Sequence, residues 1–429
     1  MIHENQLNPR VKSLEPSATL KINEHSQQLI KEGRDIIRLG LGQSPFPVPD
    51  SVVNSLQNHA NEKDYLPVRG LQALRQSVAD YYQRRDGLEI DADSVLIGPG
   101  SKELLFNIQM ACQAELIIPA PSWVSYAPQA LMLGRNVRYL ATAMENQWQI
   151  SPQQLEQLPP PGDEARLLLL NYPSNPTGSS YDPENLKALA DVARRQKVII
   201  IADEIYGETR FSGQHHSMAG FYPEGTIISS GLSKWCGAGG WRLGTMIFPK
   251  ALRAVQDAMA VIASETFTST CAPIQYAACT AFSESSEINR YLEQSRQVLS
   301  LIARFMVDSL RGMGLQMADP VGGFYLFVSF EGFREQLMAR GIKTSDDLCN
   351  NLLSDTGIAM LPGSDFGLMA DQLFVRMAFV DFDGGKALGA MAEGRYEPDV
   401  FVRQYCPKLY QACQRIKQWL MRSGKDNKE

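Results

Sequence analysis

Short aliphatic runs separated by longer amphipathic stretches limit what this chain can fold into more than any other feature. Leu167-Leu168-Leu169-Leu170 and Val198-Ile199-Ile200-Ile201 are among its longest unbroken aliphatic runs. A run without a polar position reads as a strand buried on both faces, and such strands belong to parallel sheets joined by helical crossovers. Strands are predicted over 95–97, 115–118, 137–140, 166–171, 198–202, 226–229 and 245–248, with helices over 102–112, 183–196 and 250–262. The expected fold class is α/β, with a mostly parallel central sheet carrying helices on both faces. A chain of 429 residues exceeds a single core of roughly 250–300 residues, so a second unit is expected. A long helix over 284–311 leads to it, and strands over 324–330, 358–361 and 374–379 mark a smaller α+β domain. The boundaries are set at 1–47 for an N-terminal arm joining the small domain, 48–305 for the large domain and 306–429 for the small one.

Several function classes drop out. Four-residue aliphatic runs fall far short of the about 20 needed to span a bilayer. The net charge of −6 offers no basic footprint for nucleic acid. The seven cysteines are scattered without a CxxC pair and the five histidines form no spaced ligand set, so reduced thiols and no metal are expected. His215-His216 reads as part of a polar loop. Met1-Ile2-His3-Glu4-Asn5-Gln6 shows neither a basic n-region nor an apolar h-region, which points to a cytoplasmic protein. The proline run at 159–161 reads as a surface turn and the charged tail 423–429 as frayed. No GxGxxG follows a strand, against a nicotinamide-dependent dehydrogenase.

Three segments carry chemistry, each following a predicted strand, where open α/β sheets bind ligands. Asn171-Tyr172-Pro173-Ser174-Asn175-Pro176-Thr177-Gly178 holds the Asn175 amide on a path set by two prolines and a glycine. Ala202-Asp203-Glu204-Ile205-Tyr206 presents a carboxylate and a phenol, with Glu204 read as a helix cap. Ser230-Gly231-Leu232-Ser233-Lys234 through Gly239-Gly240-Trp241-Arg242-Leu243-Gly244 places a lysine among small residues, where desolvation lowers its pKa and makes it a nucleophile. Its glycines admit a phosphate close to backbone N–H groups, and Arg242 adds a fork donor. Read alone, each has an ordinary alternative: a Pro/Gly turn, a capping acid, a solvated lysine.

In this order and spacing the chain resembles the class I and II aminotransferases, pyridoxal-phosphate enzymes of fold type I. The resemblance extends to Ser17-Ala18-Thr19-Leu20, Leu39-Gly40-Leu41-Gly42, Tyr65 through Arg75, Gly322-Gly323-Phe324-Tyr325 and Phe374-Val375-Arg376-Met377-Ala378-Phe379. It implies pyridoxal 5'-phosphate as cofactor, bound through an internal aldimine on Lys234, and transfer of an amino group from an L-α-amino acid to a 2-oxo acid by way of pyridoxamine phosphate. It implies Asp203 on the pyridine nitrogen, Tyr206 and Asn175 on the phenolic oxygen, and Trp123 stacked on the ring. Gly100, Ser101 and Lys102 would form the phosphate cup at a helix N-terminus, with Arg242 and Ser233 as further donors. Arg376 would fork onto the substrate α-carboxylate, with Gly42 beside it and Asn175 close by. Tyr65 would reach the phosphate in a neighbouring subunit, which makes a homodimer with shared sites the expected assembly.

The chain departs from the family pattern at two places. Gly231 stands where the family often carries a phosphate-binding serine, leaving Ser230 or a backbone N–H to replace it. The segment 382–399 is longer than expected and reads as a surface insertion rather than a lid over the substrate. No second arginine is anchored for a distal carboxylate, although Arg10, Arg69 and Arg290 are candidates, so dicarboxylic, aromatic and aliphatic amino acids all remain possible substrates. The same cofactor cage also supports β- or γ-elimination and oxygen-dependent oxidation. A non-catalytic regulator would need a DNA-binding arm, and the residues before Leu39 are few and not basic.

Overall fold

The computed structural model describes residue 3 and residues 6–12, 14–159 and 164–421. The expected turn at positions 160–161 and the tail 423–429 lie outside the described residues. Twelve strands are described in chain order: β1 (Ile37–Arg38), β2 (Val95–Gly98), β3 (Ala114–Ala120), β4 (Val137–Ala141), β5 (Ala165–Asn171), β6 (Ile199–Asp203), β7 (Thr226–Gly231), β8 (Gly244–Ile247), β9 (Tyr325–Ser329), β10 (Ile358–Ala359), β11 (Leu361–Pro362) and β12 (Phe374–Ala378).

Seven of them form the central sheet in the order β2-β8-β7-β6-β5-β3-β4. Strands β2, β7 and β8 are buried at every position, β5 at all but its ends and β6 at all but its first residue; β5 and β6 carry the aliphatic runs that such burial favours, whereas β7 and β8 also bury Thr226, Ser229, Ser230 and Thr245. All neighbours are parallel except β8, which runs antiparallel to both β7 and β2. Strands β2, β3, β5, β6 and β7 therefore end at one edge of the sheet. The start of β8 lies at that same edge, which brings the chain just before it, including Arg242, to the carboxyl ends of the others.

The three-stranded sheet β11-β12-β9 is antiparallel. The strand predicted over 358–361 is two short ones: β10 pairs in parallel with β1, and β11 pairs with β12. The N-terminal segment is thus hydrogen-bonded to C-terminal residues. The helix Ser286–Arg311 links the two sheets, and one hydrophobic cluster runs from Val95 and Ile97 through Val298 and Ile302 of this helix to Trp419. The segment 382–399 is not a loop insertion. It holds a helix Gly384–Glu393 and the start of another, Pro398–Tyr405, with Ala387, Ala390, Phe401 and Val402 buried. A side chain at position 384 would strike the backbone of Pro45 and Phe46, so this segment buttresses the loop that carries Gly42.

Candidate active site

The sheet edge described above opens onto a cavity of about 440 Å³. Gly42, Ser101, Lys102, Trp123, Asn175, Asp203, Tyr206, Ser233, Lys234, Arg242 and Arg376 all line it. Each sits just beyond a strand or inside one: Ser101 after β2, Trp123 after β3, Asn175 after β5, Asp203 at the end of β6, Lys234 after β7, Arg242 before β8 and Arg376 within β12. Tyr65 stands apart, 88% exposed and outside this cavity.

Asp203 is buried, and its Oδ2 accepts a 2.6 Å hydrogen bond from the Tyr126 hydroxyl. Its backbone carbonyl accepts from Asn171 Nδ2 at 2.9 Å, and Asn171 Oδ1 in turn accepts from the Asn175 backbone N–H at 2.7 Å. Burial raises the Asp203 pKa to about 6, against the Tyr126 hydrogen bond, which favours the ionised form. Glu204 caps no helix. Its buried carboxylate turns away from the cavity and accepts from Tyr172 at 3.0 Å and Ser217 at 2.7 Å, beside Arg85 and His215. His215 does lie in an irregular segment, but it is buried there against Tyr172.

Lys234 Nζ donates to the Gly42 carbonyl at 2.7 Å and lies 5.6 Å from the Tyr206 ring centroid. Burial, reinforced by the Arg376 charge, lowers its pKa to about 8. The amine is thus far closer to neutrality at physiological pH than a solvated lysine. The Tyr206 hydroxyl shares a 2.7 Å hydrogen bond with the Tyr325 hydroxyl.

Gly100 precedes the helix Ser101–Ala111 with φ +96°, and a side chain there would collide with the Arg242 guanidinium. The glycine therefore lets an arginine approach a helix N-terminus, where free N–H groups and the macrodipole already favour an anion. Arg242 itself holds a left-handed backbone (φ 57°), a strained conformation of the kind that collects at functional sites. The Lys102 ammonium lies 5.0 Å from the centroid of the Trp123 ring, and Trp123 meets Tyr126 edge-on.

Arg376 is 1% exposed. Its Nη1 donates to Asn175 Oδ1 at 3.2 Å and its Nη2 to the Gly40 carbonyl, while Nε has no partner. The fork is thus anchored yet retains donor capacity. Arg10, Arg69 and Arg290 do not line the cavity: Arg69 pairs with Asp257, Arg10 reaches the Leu133 carbonyl, and Arg290 is exposed.

The residue at position 231 has a steric explanation. Gly231 pairs with Gly244 across β7 and β8, and a Cβ at 231 would sit 2.5 Å from the Leu243 carbonyl oxygen and 3.0 Å from Gly244 Cα. Neither is a flexible side-chain end. Gly231→Ser is expected to lower stability by about 1–3 kcal/mol through overpacking, read as a fall in melting temperature with no gain in phosphate affinity. An unchanged melting temperature would mean that the strands separate freely here. Ser230 is buried outside the cavity lining.

Sequence reasoning did not assign Tyr126, Tyr325, Asn171 or Thr19. Tyr126 lies three positions after Trp123 and Tyr325 within the segment 322–325 that carries the resemblance, but their hydroxyl partners are 77 and 119 positions away. The donor set suits an aromatic phosphate monoester that carries a ring nitrogen. A cationic helix terminus would suit the phosphate, a tryptophan the ring, a buried carboxylate the nitrogen and a desolvated lysine a carbonyl.

The chain matches the model of the family described as "Aminotransferase class I and II" over residues 34–382. It is 35% identical to an aspartate aminotransferase of Geobacillus stearothermophilus over 372 residues, 84% of this chain and 92% of that protein. It is 31% identical to an aspartate/prephenate aminotransferase of Cereibacter sphaeroides, over 83% of this chain and 90% of that one. Among solved structures, the aspartate aminotransferase of Rhizobium meliloti superposes with a TM-score of 0.84 at 27% identity, covering 97% of this chain and 99% of that one. That of Thermus thermophilus with maleate gives 0.82 at 26% identity, over 96% and 99%.

Proposed function

The chain belongs to the class I and II aminotransferases, and from that premise we propose how its own residues divide the work. It is a pyridoxal-phosphate-dependent enzyme that moves an amino group from an amino acid to a 2-oxo acid. When bound, the cofactor supplies a conjugated ring that takes up the electron pair left at the substrate Cα. Lys234 offers a largely desolvated amine that would hold the cofactor at its aldehyde carbon and would move the proton at the substrate Cα. Asp203, held by Tyr126, would keep the proton on the ring nitrogen. Trp123 would lie against the ring. The N–H groups after Gly100, at Ser101 and Lys102, would hold the phosphate with Arg242 and Ser233. Tyr206 and Asn175 would orient the phenolic oxygen, and Arg376 would bind the α-carboxylate beside Gly42. The observation that carries this reading is that Lys234, Asp203 and Arg376, from three separate segments, line one cavity.

The substrate we propose is a dicarboxylic amino acid such as aspartate. Two features of the cavity support it: the Lys102 ammonium, and the Thr19 hydroxyl, which is buried without a partner. The relatives' names point the same way, as does maleate, a dicarboxylate, in the Thermus structure. The test is a spectral titration of the purified protein with a panel of amino acids, followed by return of the cofactor band on adding a 2-oxo acid. Aspartate is expected to exceed alanine in kcat/KM by about 10- to 100-fold, the worth of one charge-assisted contact. Equal values would remove the distal carboxylate from the reading.

The assembly we propose is a homodimer in the cytoplasm. The exposed Tyr65 and the shallow groove formed by Pro67, Val68 and Val261 support a partner surface. The free state of all seven cysteines supports a reducing compartment.

A further inference from the structure

Tyr325 occupies a point where three parts of the cavity meet. Its hydroxyl is 2.7 Å from that of Tyr206, and the two rings meet edge-on at 5.5 Å. Its ring lies 4.9 Å from the Arg376 guanidinium carbon. The hydroxyl also packs so closely on Gly42, whose carbonyl accepts from Lys234, that any Cβ at position 42 would collide with it. Tyr325 is fully buried. A hydroxyl carries one proton and two lone pairs. When Tyr206 turns its proton to a ligand in the cavity, the Tyr325 hydroxyl can donate to the Tyr206 oxygen, and such chains strengthen the terminal donor.

We propose that Tyr325 is a positioning residue for amino-group transfer: its hydroxyl backs the Tyr206 hydroxyl as a donor to the cofactor, and its ring supports the Arg376 guanidinium. This rests on the assignment of Tyr206 and Arg376 above. The two functions separate by substitution. Tyr325→Phe removes the hydroxyl and keeps the ring, whereas Tyr325→Leu removes both.

The experiment uses the cofactor-loaded enzyme and reads two quantities: the pH midpoint of the visible cofactor band, and kcat against KM for aspartate. Losing a donor to the phenolic oxygen disfavours its anionic form, so the midpoint rises. Tyr206→Phe is expected to raise it by about one pH unit, the worth of one hydrogen bond. Tyr325→Phe is expected to raise it by roughly 0.3 unit, the share carried by a cooperative second bond. The double variant should match Tyr206→Phe alone, because Tyr325 acts through Tyr206. Tyr325→Leu should further raise KM about ten-fold through the lost ring–guanidinium contact. An unmoved midpoint in Tyr325→Phe, or additive shifts in the double variant, would overturn the backing role. A KM equal in the Phe and Leu variants would overturn the supporting one. Wild-type transfer activity and Tyr206→Phe alone test the underlying assignment, so its failure is read separately.

Discussion

Lys234→Ala is expected to cut the rate of amino-group transfer by about 10⁴-fold or more, since the proposed roles place both the covalent attachment and the proton transfer at Cα on this one side chain. The variant should still bind pyridoxal phosphate, because the helix terminus before Ser101, Arg242, Trp123 and Asp203 are untouched. Its visible band should be that of the free aldehyde. The geometry behind this is the 2.7 Å bond from Nζ to the Gly42 carbonyl, which aims the amine into the cavity. Burial that lowers the Lys234 pKa to about 8 adds a pH signature. In the cofactor-free protein, attachment of added pyridoxal phosphate should accelerate as pH rises through about 8, where the amine loses its proton, and level off above it. Stopped-flow absorbance measures both. Transfer by the alanine variant at near wild-type rate would reassign the nucleophile.

Arg376→Ala is expected to raise KM for the amino acid by about 10²- to 10³-fold, the loss of a forked contact between two charges. Cofactor affinity should change little, because Arg376 belongs to β12, whereas the proposed phosphate donors stand after β2 and β7 and before β8. The buried guanidinium donates to Asn175 and the Gly40 carbonyl, and its Nε has no partner. Arg376→Lys retains the charge without the fork, and should fall between wild type and alanine. Isothermal titration with cofactor and steady-state kinetics with aspartate separate the two affinities. Equal loss of both would make Arg376 a structural residue.

Much of this was legible locally. Strands β2, β5 and β6 announce themselves because a strand buried on both faces has few polar positions, and each of β2 to β8 appears within a few residues of its predicted span. The motifs Asn175, Asp203 and Lys234 follow such strands, so the parallel sheet alone puts them at one edge. The errors share a cause. The stretch 358–361 contains two strands because its residues serve two different partners, β1 and β12. The segment 382–399 is helical because Gly384 and Ala387 pack on distant chain, which its own glycines do not reveal. Glu204 reads as a cap beside Asp203, yet it is the centre of a buried network reaching Arg85, 119 positions away.

The α/β class, the strand ends that carry the chemistry and the residue types there follow from the order of residues alone, because backbone periodicity and burial on two faces are written in neighbouring positions. Packing between distant segments sets which hydroxyl holds Asp203, stands Tyr325 behind Tyr206, brings Arg242 to the cavity before antiparallel β8 and fixes how far the Lys234 proton is weakened. Those are properties of desolvation and of contacts between residues tens to hundreds of positions apart, and no local pattern encodes them.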